Sequence, residues 1–393
     1  MSGIIIKPRA RIFHGHEWVY GAEVQKMFGD PKPGDVITLK DFKDRGLGSA
    51  IFNPKSQIIA RRFSRHREDL TQEFFVRRLR RALAWRSELP DLDTNLCRMI
   101  WSESDGLPGV IIDRYGDHFV LQTLTLAMDM RKELITAALV EVFAPASVIE
   151  RNDSPSRLAE GMEIVTGVLH GTAPEAYRLT TRDGLTFLID LVDGQKTGIY
   201  LDQLDNYRLT AKHAKGRQVL DCFSNQGGFA LACALAGATH VTAVDASESA
   251  MAAAKANAEA MGVADRMEFV VGNVFDFLKT SEAAGTKWDL IILDPPSFSR
   301  SKKTVGDALR GYKEIHLRAL KLLPSGGKLA TYCCSHHVST GEFTDVILDA
   351  AVDAKKTLRR LEIHGQSADH PVLPTIPESE YLRGYIYELM AAF

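Results

Sequence analysis

Thiols are scarce in this chain. Its 393 residues hold five cysteines, Cys97, Cys222, Cys233, Cys333 and Cys334. No two stand in a C-x-x-C pair, and the odd count argues against a disulfide framework and points to reduced, cytoplasmic thiols. Long apolar runs are missing too: none approaches about 18 uninterrupted residues, which excludes a membrane-spanning helix. The opening Met1-Ser2-Gly3-Ile4-Ile5-Ile6-Lys7 is too short an apolar stretch for a secretory signal and reads as a first strand. There is no internal repeat and no low-complexity segment. His14-x-His16 and His336-His337 lack a cysteine or acidic partner at metal-site spacing, so they read as loop or packing residues and no metal is expected.

What is present is a soluble globular composition, 45% apolar and 25% charged, long enough for about two or three domains. The net charge of −2 hides an uneven distribution. Arg61-Arg62-Phe63-Ser64-Arg65-His66-Arg67 and Arg77-Arg78-Leu79-Arg80-Arg81 make residues 61–86 strongly basic, which suits a polyanionic partner. The plainer alternative is a solvated helix face balanced by Glu68, Asp69 and Glu73.

Three regions follow from the patterning. In residues 1–72, short apolar pieces at Val36–Leu39, Gly48–Phe52 and Ile58–Ala60 alternate with turn signals such as Pro31-Lys32-Pro33-Gly34 and Asn53-Pro54, the mark of a small β-barrel and binding module. In residues 73–189, Phe74, Phe75, Leu79, Leu83 and Trp85 recur at helical spacing. Strand-like runs follow at Gly109–Asp113 and His118–Gln122, and Asp183-Gly184 marks a hairpin. From residue 190 to 393, strands and helices alternate as a doubly wound parallel α/β sheet requires. Its strand candidates are Gln218–Asp221, Val241–Asp245, Met267–Val271, Leu290–Asp294 and Lys328–Cys333, with helices at Ser247–Met261 and Tyr312–Leu323 and a closing hairpin near Tyr381–Leu389.

Ligands of such sheets sit beyond the carboxyl ends of the strands. The first strand turns at Asp221-Cys222-Phe223-Ser224-Asn225-Gln226-Gly227-Gly228, where two glycines let a ligand approach the backbone. The pattern is not G-x-G-x-x-G, so the pyrophosphate fingerprint is absent. The next strand ends in Asp245, followed by Ala246 and Ser247, where a carboxylate would accept hydrogen bonds from a ribose diol. Asn273, followed by Val274, would present an amide to an adenine edge. An adenosine site without a pyrophosphate loop points to S-adenosylmethionine, although an acid or Asn after a strand is also a common helix N-cap.

Two further strand ends carry chemistry: Leu293-Asp294-Pro295-Pro296-Ser297-Phe298 and Tyr332-Cys333-Cys334-Ser335. Carbon 5 of a cytosine becomes nucleophilic once a thiolate adds to carbon 6. Cys334 is the candidate thiol, and Asp294 would contact the ring nitrogens and exocyclic amine. Cys333, one residue earlier, should face the other way and serve packing. Cys97 and Cys233 read as core, and Cys222 as core or pocket lining.

These segments resemble the bacterial RlmI-type methyltransferases, which modify carbon 5 of cytosine in large-subunit (23S) ribosomal RNA. The resemblance spans essentially the whole chain. It is carried by Gly194–Gln203, Asp221–Gly228, Asp294–Phe298, Arg310-Gly311-Tyr312-Lys313, Tyr332–Ser335, Asp369-His370-Pro371, Pro377-Glu378 and Glu103–Asp105 with Leu107-Pro108-Gly109. His16-Glu17-Trp18-Val19-Tyr20 resembles the start of an RNA-binding PUA barrel. The resemblance implies a Rossmann-like class I methyltransferase sheet with Cys334 as nucleophile and Asp294 as the substrate-orienting acid. It also implies that Gln203, Phe223, Ser224, Gly227, Gly228, Asp245, Asn273 and the Asp294 segment lie near the methyl donor. The implied partner is RNA, with a homodimer left open.

Two positions depart from the family: Asn273 stands where an acid is commoner, and Ser297 where many RNA cytosine methyltransferases carry a second cysteine. Asp294–Ser299 with Ser301-Lys302 also resembles enzymes that methylate guanine at nitrogen 7 and need no thiol. A non-catalytic RNA-binding assembly factor that retains the fold is a third alternative.

Overall fold

The computed structural model describes residues 2–391 apart from 193, 195–197, 300–303 and 336. Gln195-Lys196-Thr197, the Ser301-Lys302 pair and His336 therefore lie outside the described residues. The chain forms two compact units. One contains residues 1–179, 189–201 and 368–379, the other 180–188, 202–367 and 380–393.

The first unit opens with six strands, β1 (Gly3–Ile6), β2 (Trp18–Tyr20), β3 (Val24–Phe28), β4 (Val36–Lys40), β5 (Gly46–Phe52) and β6 (Ile58–Ser64), in the order β2-β6-β5-β4-β1-β3. Every second residue of β4 turns inward, so Ile37 and Leu39 join Ile4, Ile6 and Val19 in a small apolar core. Helix α1 (Gln72–Ser87) follows, its N-terminus capped by the Thr71 hydroxyl, which accepts from the Phe74 amide at 3.2 Å.

A second sheet is built from β7 (Leu96–Trp101), β8 (Val110–Tyr115), β9 (His118–Thr123), β10 (Ser147–Asn152) and β11 (Val165–Gly171), ordered β11-β10-β9-β8-β7. Between its strands lie α2 (Leu126–Asp129), α3 (Lys132–Phe143) and α4 (Ser156–Ala159). Phe74, Phe75 and Leu79 of α1 pack with Ile135 and Leu139 of α3 and with Ile112 and Leu121 of the sheet. Trp85 departs from the sequence expectation: it shares the apolar spacing of α1, yet it is 37% exposed.

This unit also buries arginines. Arg86 lies fully inside, held by both oxygens of Asp105 (3.0 and 2.9 Å) and by the carbonyl of Asp369 (2.8 Å). Asp369 also accepts the Arg98 amide at 2.6 Å and the His370 ring at 2.8 Å. Glu103 accepts from Trp18 Nε1 and Arg61 at 2.6 and 2.8 Å. The Glu103–Asp105 and Asp369-His370 motifs are thus structural anchors of the first unit, because a buried guanidinium must be paired.

A hairpin of β12 (Tyr177–Thr180) and β13 (Thr186–Ile189) turns at Asp183-Gly184, as the sequence indicates. The second unit then contains β14 (Gln218–Cys222), β15 (His240–Asp245), β16 (Met267–Val271), β17 (Leu290–Leu293), β18 (Lys328–Cys333), β19 (Leu358–Gly365) and β20 (Arg383–Leu389). Its helices are α5 (Leu204–Ala211), α6 (Gly228–Leu235), α7 (Glu248–Met261), α8 (Val274–Ala284), α9 (Val305–Leu322) and α10 (Thr340–Asp353).

The sheet order is β16-β15-β14-β17-β18-β20-β19. The first five strands run parallel, while β20 is antiparallel to both neighbours. Helices on both faces bury the apolar strands, which therefore read as continuous runs such as Leu290-Ile291-Ile292-Leu293. One expectation needs correction. The residues near Tyr381–Leu389 supply one strand, not a local hairpin; its partner is Leu358–Gly365, and β20 lies inside the sheet rather than at its edge.

Candidate active site

The parallel order brings the carboxyl ends of β14, β15, β17 and β18 to one edge. Cys222 pairs with Leu293, and Leu293 with Thr331, so Asp294 and Cys334 each leave their strand at a neighbouring position. Strand alternation separates the two adjacent cysteines as expected. Cys333 is buried, its Sγ 3.3 Å from the Tyr312 hydroxyl, and burial pushes its thiol pKa up. Cys334 is the one cysteine of the five that is not buried, and its Sγ faces the carbonyl oxygen of Pro295 at 4.0 Å. Cys97, Cys222 and Cys233 are buried thiols raised above their ordinary range by desolvation.

Asp294 is held from below. The Gln203 amide donates from Nε2 to Asp294 Oδ2 at 3.0 Å, while its Oε1 accepts from Asn206 Nδ2 at 2.6 Å. Asn206 also donates to the carbonyl of Gly365 at 2.8 Å. Gln203 and Asn206 are both buried, so this chain fixes the carboxylate against a rigid base. Asn206 was not among the residues singled out from sequence, because nothing local distinguishes it from any helical asparagine.

The loop after Asp294 is held by aromatic contact. Phe298 packs against Phe223 of the first turn, Phe275 of α8 and Tyr312 of α9, with ring centroids 6.2, 6.0 and 4.9 Å apart. Gly311 of Arg310-Gly311-Tyr312-Lys313 lies against this ring: a Cβ there would stand 3.4 Å from Phe298, in ordinary contact. Ser297 and Ser335 hydroxyls lie 3.2 Å apart, joining this loop to the segment after Cys334. On the far side of that segment, Arg383 of β20 donates to the Ser335 carbonyl at 3.4 Å and to Thr340 Oγ1 at 2.8 Å.

The turn after β14 is shaped by positive φ at Phe223 (62°), Asn225 (49°) and Gly227 (86°). At Gly228 a Cβ would meet the Tyr207 ring at 2.3 Å, so the missing side chain makes room for that ring. Asp221 is fully buried, with Oδ2 accepting from the Ser224 hydroxyl (2.7 Å) and the Ala230 amide (3.1 Å). Its Oδ1 has no partner among the described residues, and desolvation pushes its pKa up to about 7. Asp245, half-buried, accepts the amides of Asn225 (3.0 Å) and Ser247 (2.9 Å), which ties the first two turns together. Ser247 caps α7 and exposed Asn273 caps α8, Asn273 through its Oδ1 and the amides of Phe275 and Asp276. Ala246 is exposed and Val274 buried beside them. Among the described residues no three His, Cys, Asp or Glu side chains are grouped to hold a metal, and no helix is long and apolar enough to cross a membrane.

A parallel sheet with these three turns at one edge is the scaffold of an S-adenosylmethionine-dependent methyltransferase, and the family model of that description matches residues 163–376. A PUA-like domain model matches residues 4–65. The ribosomal RNA large subunit methyltransferase I of Vibrio vulnificus (strain CMCP6) is 39% identical over 387 residues, covering 97% of each chain. The protein of the same name from Klebsiella pneumoniae (strain 342) is 38% identical over 391 residues, covering 98% of each. The chain belongs to this family of large-subunit ribosomal RNA methyltransferases. Its fold is that of a solved structure from Streptococcus mutans described as a SAM-dependent methyltransferase (TM-score 0.83, 23% identity, 99% of this chain and 100% of that one). It is likewise that of the methyltransferase SMU.776, crystallised in complex with SAH (TM-score 0.85, 23% identity, the same coverage).

Proposed function

We propose that this protein methylates carbon 5 of a cytosine in large-subunit (23S) ribosomal RNA, with Cys334 as the covalent nucleophile. The observation that carries this reading is the half-buried Cys334 thiol beside the Asp294-Pro295 turn, with the four other cysteines buried. A guanine nitrogen 7 has its own lone pair and would need no such thiol.

S-adenosylmethionine, when bound, supplies an electrophilic methyl group. The residues suit it: Asp221 offers a buried acceptor without a partner among the described residues. Each Asp245 oxygen keeps a lone pair for a ribose hydroxyl, and Asn273 keeps its Nδ2 for an adenine edge. Phe223, Ser224, Gly227 and Gly228 would form the turn over the donor, with Ala246, Ser247 and Val274 beside it.

Cys334 as thiolate forms a bond to carbon 6 of the cytosine, and the displaced electron pair makes carbon 5 nucleophilic. Asp294, fixed by Gln203, accepts from the exocyclic amine and so sets the ring against the thiolate. After carbon 5 is substituted, loss of its proton and cleavage of the carbon–sulfur bond restore the aromatic ring and the thiolate. The base is extruded from its stack to reach these groups.

Cys334→Ala should abolish methyl transfer while S-adenosylmethionine binding, measured by calorimetry, stays as in wild type. Full activity in that variant, or 7-methylguanosine in place of 5-methylcytidine on nucleoside analysis, would refute the reading.

A further inference from the structure

We infer that the cleft between strand β6 and helix α1 in the first unit binds unpaired RNA, taking a base against the Trp85 indole and the neighbouring phosphates on Arg81 and Arg65. The inference rests on the proposed RNA substrate and adds where, outside the methylating sheet, that RNA is gripped. The cleft encloses about 790 Å³ and is lined by both elements and by residues 103–106 and 371–373.

Sorting the arginines of β6, α1 and the cleft lining by partner shows which are available. Arg61 is bound to Glu103 (2.8 Å), Arg62 to Glu17 (2.5 Å), Arg77 to Glu68, Arg78 to the Phe63 carbonyl (2.9 Å), Arg80 to Glu141 (3.4 Å) and Arg86 to Asp105. Every carboxylate lining the cleft (Glu17, Glu68, Glu103, Asp105) is thus already held by one of these arginines. Arg65 touches Glu17 only at 3.5 Å, and its side chain is 70% exposed. Arg81 is exposed and has no carboxylate partner among the described residues. Its positive charge helps to lower the pKa of Arg78, next to burial, the larger cause. The uncompensated charge of the cleft is therefore positive and sits on Arg65 and Arg81, with His66 beside them.

Trp85 lies one turn after Arg81 on the same helix face. Its exposure has a use here: an indole presented beside guanidinium groups is a stacking platform with an adjacent phosphate clamp. Unpaired RNA offers base faces and phosphates together. A duplex hides its base faces, so it would leave the indole without a partner.

The test uses the full-length protein and a short fluorescent single-stranded pyrimidine oligoribonucleotide, with anisotropy read across a salt series. Trp85→Ala should weaken binding about tenfold, with Trp85→Phe retaining most of the affinity. Arg81→Ala should weaken binding and reduce the slope of log affinity against log salt by about 0.7. Arg80→Ala, whose guanidinium is committed to Glu141 outside the cleft, should bind as wild type. RNA should quench the intrinsic fluorescence of wild type, and Trp85→Phe should lose that component. Wild-type affinity in Trp85→Ala and Arg81→Ala would overturn the inference. So would equal competition by duplex RNA, or variants that bind the oligonucleotide normally yet fail only on ribosomal particles, where a protein would then occupy the cleft. Wild-type protein that binds the oligonucleotide through these residues but methylates no RNA would refute the proposed activity and leave the cleft standing.

Discussion

The contact between Gln203 and Asp294 gives the most informative perturbation. Gln203 is engaged at both ends of its amide, so it acts on cytosine through the carboxylate it holds. Gln203→Leu keeps the volume roughly constant and removes both of these hydrogen bonds, of which the one to the charged Asp294 is worth about 1.5–3 kcal/mol. If that energy is expressed in orienting Asp294 against the transition state, kcat falls about 10- to 100-fold with little change in S-adenosylmethionine affinity. Gln203→Glu is harsher. It sets two carboxyl groups at the 3.0 Å now spanned by the hydrogen bond. Two unit charges at that distance repel by about 5 kcal/mol at an effective dielectric of about 20. Both cannot stay ionised, so the acid limb of the pH–rate profile should move to higher pH. The assay is transfer of a labelled methyl group to RNA as a function of pH, with donor affinity measured separately by calorimetry. A leucine variant with wild-type kcat, or one whose loss lies wholly in donor affinity, would refute the reasoning and return Gln203 to the methyl-donor site.

Two further outcomes test the scaffold. His316 is fully buried between the Tyr312 carbonyl (2.6 Å) and the Thr331 hydroxyl (2.8 Å), and desolvation pushes its pKa down to about 4. Its unfolded value is about 6.5, so the unfolded chain binds the extra proton between these limits. The contribution is complete above pH 6.5 and is lost as the pH falls towards 4, about 3 kcal/mol in all. Urea midpoints at neutral and acid pH should therefore diverge less in His316→Gln than in wild type, and an equal divergence would count against this account. Gly228→Ala should destabilise the second unit by about 1–3 kcal/mol through its clash with Tyr207, seen as a lower melting temperature; an unchanged melt would show that the ring moves aside freely.

Much of the methylating sheet was legible because its signals are local. The strand ends at Asp221, Asp245, Asp294 and Cys333 are each a short apolar run closed by a polar turn, and strand alternation alone separates Cys333 from Cys334. What escaped depends on partners far apart in the chain. Leu358–Gly365 and Arg383–Leu389 pair across an intervening segment that itself belongs to the first unit. Asp369-His370, read with the catalytic region, instead anchors Arg86 and Arg98. The density of arginines in residues 61–86 was plain, but which of them are spent depends on Glu103, Asp105 and Glu141 much later in the sequence. Helical spacing likewise could not tell the exposed Trp85 from its buried neighbours Phe75 and Leu79.

The inserted position of β20 has a consequence for biogenesis. It is the last of the seven strands to leave the ribosome, yet it is the one that covers the free side of the strand ending at Cys333. A nascent chain lacking residues 383–389 would display an open row of amides and carbonyls there, ready to zip onto a stranger's edge. Completion of the sheet beside the thiol therefore waits for residues 383–389, and truncation just upstream of them should yield aggregate rather than a weakened enzyme.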